Sequence, residues 1–96
     1  MKKKCQIIGK VTGIPRKQCV EKFQSTQKIL ESFGYEVVNP ITLVPEESSH
    51  QDAMRACLLE LLKVDAVAIQ PDWFDSPGAR VEYMVANALQ LKEIKL

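Results

Sequence analysis

The segment LLKVDAVAIQ, residues 61–70, indicates the fold class more directly than any other part of the sequence. Its second half, DAVAIQ, is a continuous apolar run, which is typical of a strand buried on both faces inside a parallel sheet. Its first half lies at the end of a longer helical pattern. In that pattern, which begins before the segment, apolar residues recur at intervals of three and four. These residues are Met54, Cys57, Leu58, Leu61 and Leu62. A helix that leads directly into a buried strand predicts an α/β unit.

The same alternation continues toward the N-terminus. The runs CQIIG, residues 5–9, and YEVVNP, residues 35–40, predict the first and second strands. Between them, a helix beginning near Arg16 and ending at Gly34 is predicted by residues that share one helical face. Those residues are Val20, Phe23, Gln27, Leu30 and Phe33.

The segment ITLVPEESSH, residues 41–50, predicts a loop in which Ser48 or Ser49 caps the next helix. After the third strand, a helix is expected to reach about Leu91, and EIKL predicts a short last strand. Alternating strands and helices imply right-handed crossovers. We therefore predict one domain over residues 1–96, a three-layer, doubly wound α/β fold of the flavodoxin or Rossmann type. Its four-stranded parallel sheet has the order 2-1-3-4.

Composition excludes several classes of protein. The chain has 96 residues, 46% of them hydrophobic and 26% charged, with a net charge of +1. This is typical of a soluble globular domain, and it lacks the basic surplus of a nucleic-acid-binding protein. The apolar run after the N-terminal lysines is too short for a signal peptide or a membrane span. Three widely spaced cysteines and one histidine form no metal pattern. We expect a cytoplasmic protein without metal or cofactor.

Ligands of doubly wound sheets bind beyond the carboxyl ends of the strands, where the strand order reverses. Here that position lies between the first and third strands, at the loops GKVTGIP and QPDWFDSPGA. In the first loop, Gly9 and Gly13 can expose backbone N–H groups to a phosphate or carbonyl, and Lys10 and Thr12 add further donors. The loop contains neither GxGxxG nor a P-loop, so a plain turn between strand and helix remains an equal alternative.

Glu82 is the strongest candidate for a site residue. Ser76 and Pro77 fit the first positions of a helix, and Gly78 keeps its first turn open to an anion. On a helical wheel, Glu82 lies at the centre of the small apolar face of that helix. It is either a structural ion pair, an edge position open to water, or a positioned reactive or ligand-binding carboxylate. We expect desolvation to raise its pKa and N–H groups of the helix start to lower it.

Trp73 and Asp65 allow two interpretations each, and further carboxylates are candidates for proton transfer. Trp73 can stack on a base or a sugar, or it can cover the core or an interface. Asp65, at the start of the third strand, can contribute to the site or stabilise a neighbouring loop. Asp72, Asp75 and Asp52 are candidates for a general acid.

Four stretches of this sequence carry a resemblance to a known family: IIGKVTG, FGYEVVNP, MRACLLELLKVDAVAIQPDW and SPGARVEYMVA. They are similar to successive blocks of the nucleoside 2-deoxyribosyltransferase-like superfamily, and most similar to its small branch of bacterial and phage domains of unknown function. The resemblance covers nearly the whole chain. It implies that Glu82 attacks the anomeric carbon of a 2-deoxyribonucleoside or its 5′-monophosphate. The base then leaves, and a second base or water takes the sugar.

The resemblance also implies that the first-loop glycines and the start of the third helix hold the sugar or its 5′ end. Two departures from the family pattern favour an alternative, a non-catalytic nucleotide- or nucleoside-binding module. Gln6 stands where many of the enzymes have a tyrosine, and Cys57 stands where several have an acidic residue. The expected catalytic residues are Glu82, Asp72 and Asp75. The expected substrate contacts are Gly9, Lys10, Thr12, Gly13, Asp65, Trp73, Ser76 and Gly78.

The expected partner is a small-molecule nucleoside or nucleotide, with no nucleic acid and no membrane. Met84 and Leu91 lie on the side of their helix opposite Glu82, and Trp73 and Phe74 lie in a loop. Apolar residues in such positions predict a homo-oligomer, a dimer or a dimer of dimers.

Overall fold

A computed structural model of the chain describes residues 2–96. Its sheet contains four strands, β1 (Lys4–Ile8), β2 (Glu36–Val38), β3 (Ala66–Ile69) and β4 (Lys92–Lys95). All neighbouring strands pair in parallel, in the order β2-β1-β3-β4. The predicted fold class and strand order are confirmed.

Four α-helices connect the strands: α1 (Arg16–Ser32), α2 (Pro40–Leu43), α3 (His50–Leu61) and α4 (Pro77–Ala88). A short 3-10 turn, Trp73–Asp75, precedes α4. Within residues 2–96, no helix has both the length and the apolar character needed to cross a membrane.

The two faces of the sheet carry separate cores, which makes the fold three-layered. Alternate residues of β1 and β3 point to opposite faces. One core packs the sheet against α1 and contains Cys5, Ile7, Cys19, Phe23, Leu30, Ala66 and Ala68. The other packs it against α3 and α4 and contains Ile8, Leu61, Val64, Val67, Ile69, Ala79 and Ala86. Every residue of β3 is therefore buried, as its continuous apolar run predicts.

The predicted face of α1 is partly wrong. The buried residues are Cys19, Phe23, Thr26 and Leu30, which follow one another at spacings of four, three and four. Phe33 is 66% exposed because α1 ends at Ser32 and the chain turns away before that side chain can reach the core. The same holds for Leu62, which follows the end of α3 and is 63% exposed.

Two other boundaries differ from the sequence prediction. The last main helix ends at Ala88 rather than near Leu91, because Gln90 adopts a left-handed φ of 57° and the N–H of Leu91 donates to the carbonyl of Ala86. The loop predicted after β2 contains α2, and the N–H of Ile41 in its first turn donates to the Oδ1 of Asn39.

Candidate functional site

A cleft of about 260 Å³ opens at the carboxyl edge of the sheet, on the face that α3 and α4 cover. The loop after β1, the segment after β2 and the first turns of α3 and α4 form its walls. The structure brings five of the predicted site residues together in this cleft: Gly9, Thr12, Ser76, Gly78 and Glu82. A site between the first and third strands is the position expected for this strand order.

Glu82 lies in the second turn of α4 and lines the cleft. Its residue surface is only 6% exposed. Within residues 2–96, no hydrogen bond or ion pair to its carboxyl group is present. The prediction that Glu82 faces the carboxyl edge and is withdrawn from water is confirmed.

Burial raises the pKa of Glu82 from 4.5 to about 7, because the charged form loses its hydration. No hydrogen bond from the helix start lowers the pKa of Glu82, and the N–H of Ala79 donates to the Oγ of Ser76 at 3.2 Å instead. At neutral pH, the carboxyl group is therefore present in both its protonated and its ionised form. Such a group can act as a nucleophile when ionised or exchange protons with a ligand.

The start of α4 brings the cleft wall close to α3. Ser76 is the N-cap and Pro77 the first helical residue, as predicted. A Cβ atom on Gly78 would lie 2.9 Å from the Sδ of Met54 and 3.7 Å from the Cε1 of His50. The glycine therefore lets the first turn of α4 approach α3 closely and keeps the backbone accessible from the cleft.

The first loop divides into a part that lines the cleft and a part that forms a turn. A Cβ on Gly9 would lie 1.9 Å from the Oε1 of Gln70, so this close approach requires glycine. Gly13 has a φ of 89°, in the left-handed region that favours glycine, and it is not a cleft residue. Lys10 also lies outside the cleft lining, and its backbone N–H donates to the Oδ1 of Asp72 at 3.1 Å.

The structure does not bring Asp72 or Asp75 into the cleft. Asp72 faces α1, where Lys22 Nζ lies 2.7 Å from its Oδ2. Burial acts to raise the pKa of Asp72, but the hydrogen bonds from Lys22 and from the N–H of Lys10 outweigh it, so the pKa lies below its usual value. A carboxyl group held ionised in this way is unsuited to donating a proton. Asp75 is exposed in the 3-10 turn.

Asp65 and Trp73 also lie away from the cleft, where each has a structural contact. Asp65 precedes β3 at the amino edge of the sheet, and its Oδ2 accepts a hydrogen bond from the N–H of Lys4 at 2.9 Å. It therefore joins the start of β1 to β3. Trp73 packs its ring 4.6 Å from Tyr83 and 5.4 Å from Phe74, at the edge of the core beneath α4.

Several cleft residues were not predicted from the sequence. The segment after β2, residues 40–48, forms one wall of the cleft, and we refer to it as the cover segment. Arg16 and His50 also line the cleft, and Arg16 Nε lies 3.9 Å from Oε2 of Glu46 in the cover segment. One feature of the sequence could have identified both, because Arg16 begins the helix after β1 and His50 begins the long helix between β2 and β3. Such helices begin at the carboxyl edge, where ligands bind.

Gln6 and Cys57 contact each other, and Cys57 lines the cleft. Gln6 is fully buried, and its Nε2 donates to the carbonyl oxygen of Cys57 at 3.0 Å. Its Oε1 has no hydrogen-bond partner among residues 2–96. Burial, followed by the negative charges of Glu82 and Glu60, raises the pKa of Cys57 to about 12. The Cys57 thiol is therefore neutral and a poor proton donor near pH 7.

A parallel α/β domain with an isolated carboxylate at the switch point of its sheet is a candidate ligand-binding or catalytic domain. The chain belongs to the family described as "Domain of unknown function (DUF4406)", whose profile matches residues 3–95. Comparison with curated proteins finds no match.

Proposed function

We propose that this chain is an enzyme that cleaves the N-glycosidic bond of 2-deoxyribonucleosides or their 5′-monophosphates, with Glu82 as the nucleophile. The observation that carries the proposal is the burial of an unpaired Glu82 carboxyl in a cleft at the carboxyl edge of the sheet. Resemblance of the sequence to the nucleoside 2-deoxyribosyltransferase-like superfamily supports the same assignment.

In the proposed reaction, an ionised oxygen of Glu82 forms a bond to C1′ of the sugar. The bond between C1′ and the base nitrogen breaks, and its electron pair stays with the base. Water or a second base then attacks C1′ and releases the carboxylate. A negative charge in a poorly hydrated cleft stabilises the positive, oxocarbenium-like centre more strongly than it would in water.

The other cleft residues suit the parts of a nucleotide. The side chains of Ile41, Val44 and Met54 provide apolar surface for a flat base. Thr12 offers a hydroxyl group, and Arg16 offers a guanidinium at the first turn of α1. Guanidinium groups bind phosphate in a bidentate manner, so Arg16 is suited to the 5′-phosphate of a monophosphate substrate.

Chromatographic detection of free base tests the proposal, using deoxynucleosides and deoxynucleoside 5′-monophosphates with and without a second base. Hydrolysis gives free base without an acceptor, and transfer gives a new nucleoside only with one. Replacing Glu82 by glutamine should abolish base release while leaving substrate binding within a few-fold, because the amide keeps the size of the side chain but not its charge. Glu21→Gln, which changes an exposed carboxylate on α1, is the matched control. Near-normal turnover by Glu82→Gln would refute the assignment.

The contact between Gln6 and Cys57 favours a second candidate, a non-catalytic nucleotide- or nucleoside-binding module. These residues stand where related enzymes have a tyrosine and an acidic residue, and neither provides a strong acid here. Calorimetric binding of deoxynucleotides by the wild type, without base release during prolonged incubation, would favour this candidate over the enzyme.

We also propose that the chain self-associates through the outer side of α4. Met84 is 68% exposed, Val81 lies one turn before it with 43% exposure, and nearby Phe74 is 61% exposed. Trp73 and Leu91, also expected to contribute, are half-buried against the core. Light scattering should show a dimer or a dimer of dimers that Met84→Glu dissociates. A wild-type monomer at high concentration would contradict this.

A further inference from the structure

A base leaving an N-glycosidic bond takes the bonding electron pair, and it departs more readily when an acid donates a proton to it. Among residues 2–96, the titratable side chains that line the cleft, apart from Glu82, belong to Arg16, Glu46, Cys57 and His50. A guanidinium does not release its proton in proteins. The pKa of Cys57 is raised to about 12 by burial, which removes it as a donor near neutral pH. The side chain of Glu46 is 67% exposed at the outer end of the cover segment, beside Arg16.

We propose that His50 is the proton donor for the leaving base, an inference that rests on the proposed function of Glu82. Imidazole exchanges protons near neutral pH more readily than any other ordinary side chain. His50 was not singled out by the sequence, because a lone histidine has no partner residues to mark it. Its position follows from the packing of α3 against α4.

His50 on α3 and Glu82 on α4 line the same cleft. The Cε1 of His50 lies 3.7 Å from the point where a Cβ on Gly78 would stand. Gly78 and Glu82 are four residues apart on α4, so they share one helical face. The Cβ of Glu82 therefore lies about 5–6 Å from the point where a Cβ on Gly78 would stand. His50 is thus about one helical turn from Glu82, toward the start of α4. A sugar whose C1′ contacts Glu82 can direct its base toward the imidazole.

In the proposed step, one oxygen of the ionised Glu82 bonds to C1′ while the bond from C1′ to the base breaks. The electron pair passes to the base, and protonated His50 gives its N–H proton to a base nitrogen. The products are a sugar ester of Glu82, a neutral base and a neutral imidazole. In hydrolysis, water attacks C1′, its proton passes to the imidazole, and the Glu82 carboxylate is restored.

A substrate that needs no protonation separates this role from other roles of His50. The base of 7-methyl-2′-deoxyguanosine already carries a positive charge and leaves as a neutral molecule. His50→Gln should lose about 10²–10⁴-fold in base release from 2′-deoxyguanosine, the usual contribution of a general acid. It should stay within a few-fold of the wild type on the methylated substrate, whereas Glu82→Gln should fail on both. Each nucleoside is assayed with its 5′-monophosphate, and spontaneous base loss is subtracted.

A double variant, His50→Gln with Gln51→His, keeps one histidine but moves it about 100° around α3. Gln51 is exposed and outside the cleft lining, so this variant should remain as impaired as His50→Gln. Circular dichroism verifies that both variants fold, as expected for exposed positions. The proposal for His50 is overturned if His50→Gln keeps wild-type rates, if it loses equally on both substrates, or if the double variant recovers. Absence of base release by the wild type from every substrate overturns the function proposed for Glu82 as well.

Discussion

Replacing Glu82 by glutamine should make the protein more stable above neutral pH, although it removes the proposed nucleophile. Burial raises the pKa of this carboxyl group from 4.5 to about 7. Each pKa unit corresponds to about 1.4 kcal/mol, so the ionised carboxylate lowers the free energy of unfolding by about 3 kcal/mol. The amide has nearly the same shape and carries no charge that burial would destabilise.

The sign of the effect follows from which state binds the proton. Below pH 4.5, the carboxyl group is protonated in both the folded and the unfolded chain, and no penalty arises. As the pH rises from 4.5 to about 7, the unfolded chain loses the proton while the folded chain retains it, so stability falls. Above about 7, both states are ionised and the penalty is constant.

Urea unfolding followed by circular dichroism measures this difference. Glu82→Gln should differ from the wild type by less than about 1 kcal/mol at pH 5 and by about 3 kcal/mol at pH 8. For a domain of this size, the melting temperature at pH 8 should rise by roughly 10–20 °C. Glu21→Gln, on the exposed side of α1, should show no such pH-dependent gain. If the advantage of Glu82→Gln is the same at both pH values, Glu82 is not desolvated in the folded protein and the site assignment loses its main support.

Two glycine replacements and one cap removal test the packing around the cleft. Gly9→Ala should destabilise the fold by several kcal/mol, because its Cβ would lie 1.9 Å from Oε1 of the buried Gln70. Gly78→Ala should stay within about 1 kcal/mol of the wild type, since its closest contact is the flexible Met54 thioether and alanine favours the helix. Equal losses in urea unfolding would contradict this difference. Ser76→Ala should cost about 1 kcal/mol through loss of the N-cap, and an unchanged unfolding midpoint would show that the cap contributes nothing.

Most of the fold could be predicted because its determinants are local. The buried run of β3 and the alternation of periods define strands and helices, and the handedness of crossovers then restricts the strand order. The face of α1 was harder to predict, since an apolar pattern does not reveal that Thr26 is buried and Phe33 is not. That outcome depends on where the helix ends, which the hydrogen bonds at its C-terminus determine.

The candidate site was predictable only where its residues share one element. Ser76, Gly78 and Glu82 lie on a single helix, so helical spacing places them together before any tertiary structure is known. The role of Asp72 could not be predicted from its position in the loop before α4. Its side chain pairs with Lys22, which is fifty residues away in sequence and lies on the opposite face of the sheet. His50 enters the cleft only through the packing of α3 on α4.

The electrostatics of the cleft bear on the choice between an enzyme and a binding module. Two of the three interpretations of Glu82 left open by the sequence are excluded within residues 2–96, since the carboxyl group has no ion-pair partner and its residue is only 6% exposed. An ionised group in this position destabilises the fold unless a ligand supplies positive charge or a hydrogen-bond donor. A nucleotide in its ground state brings a negative phosphate, which Arg16 can neutralise but Glu82 repels. A positive centre develops at C1′ only as the glycosidic bond breaks. In the proposed reaction, Glu82 therefore interacts more favourably with the transition state than with the bound substrate, and this difference favours the proposed enzyme over the proposed binding module.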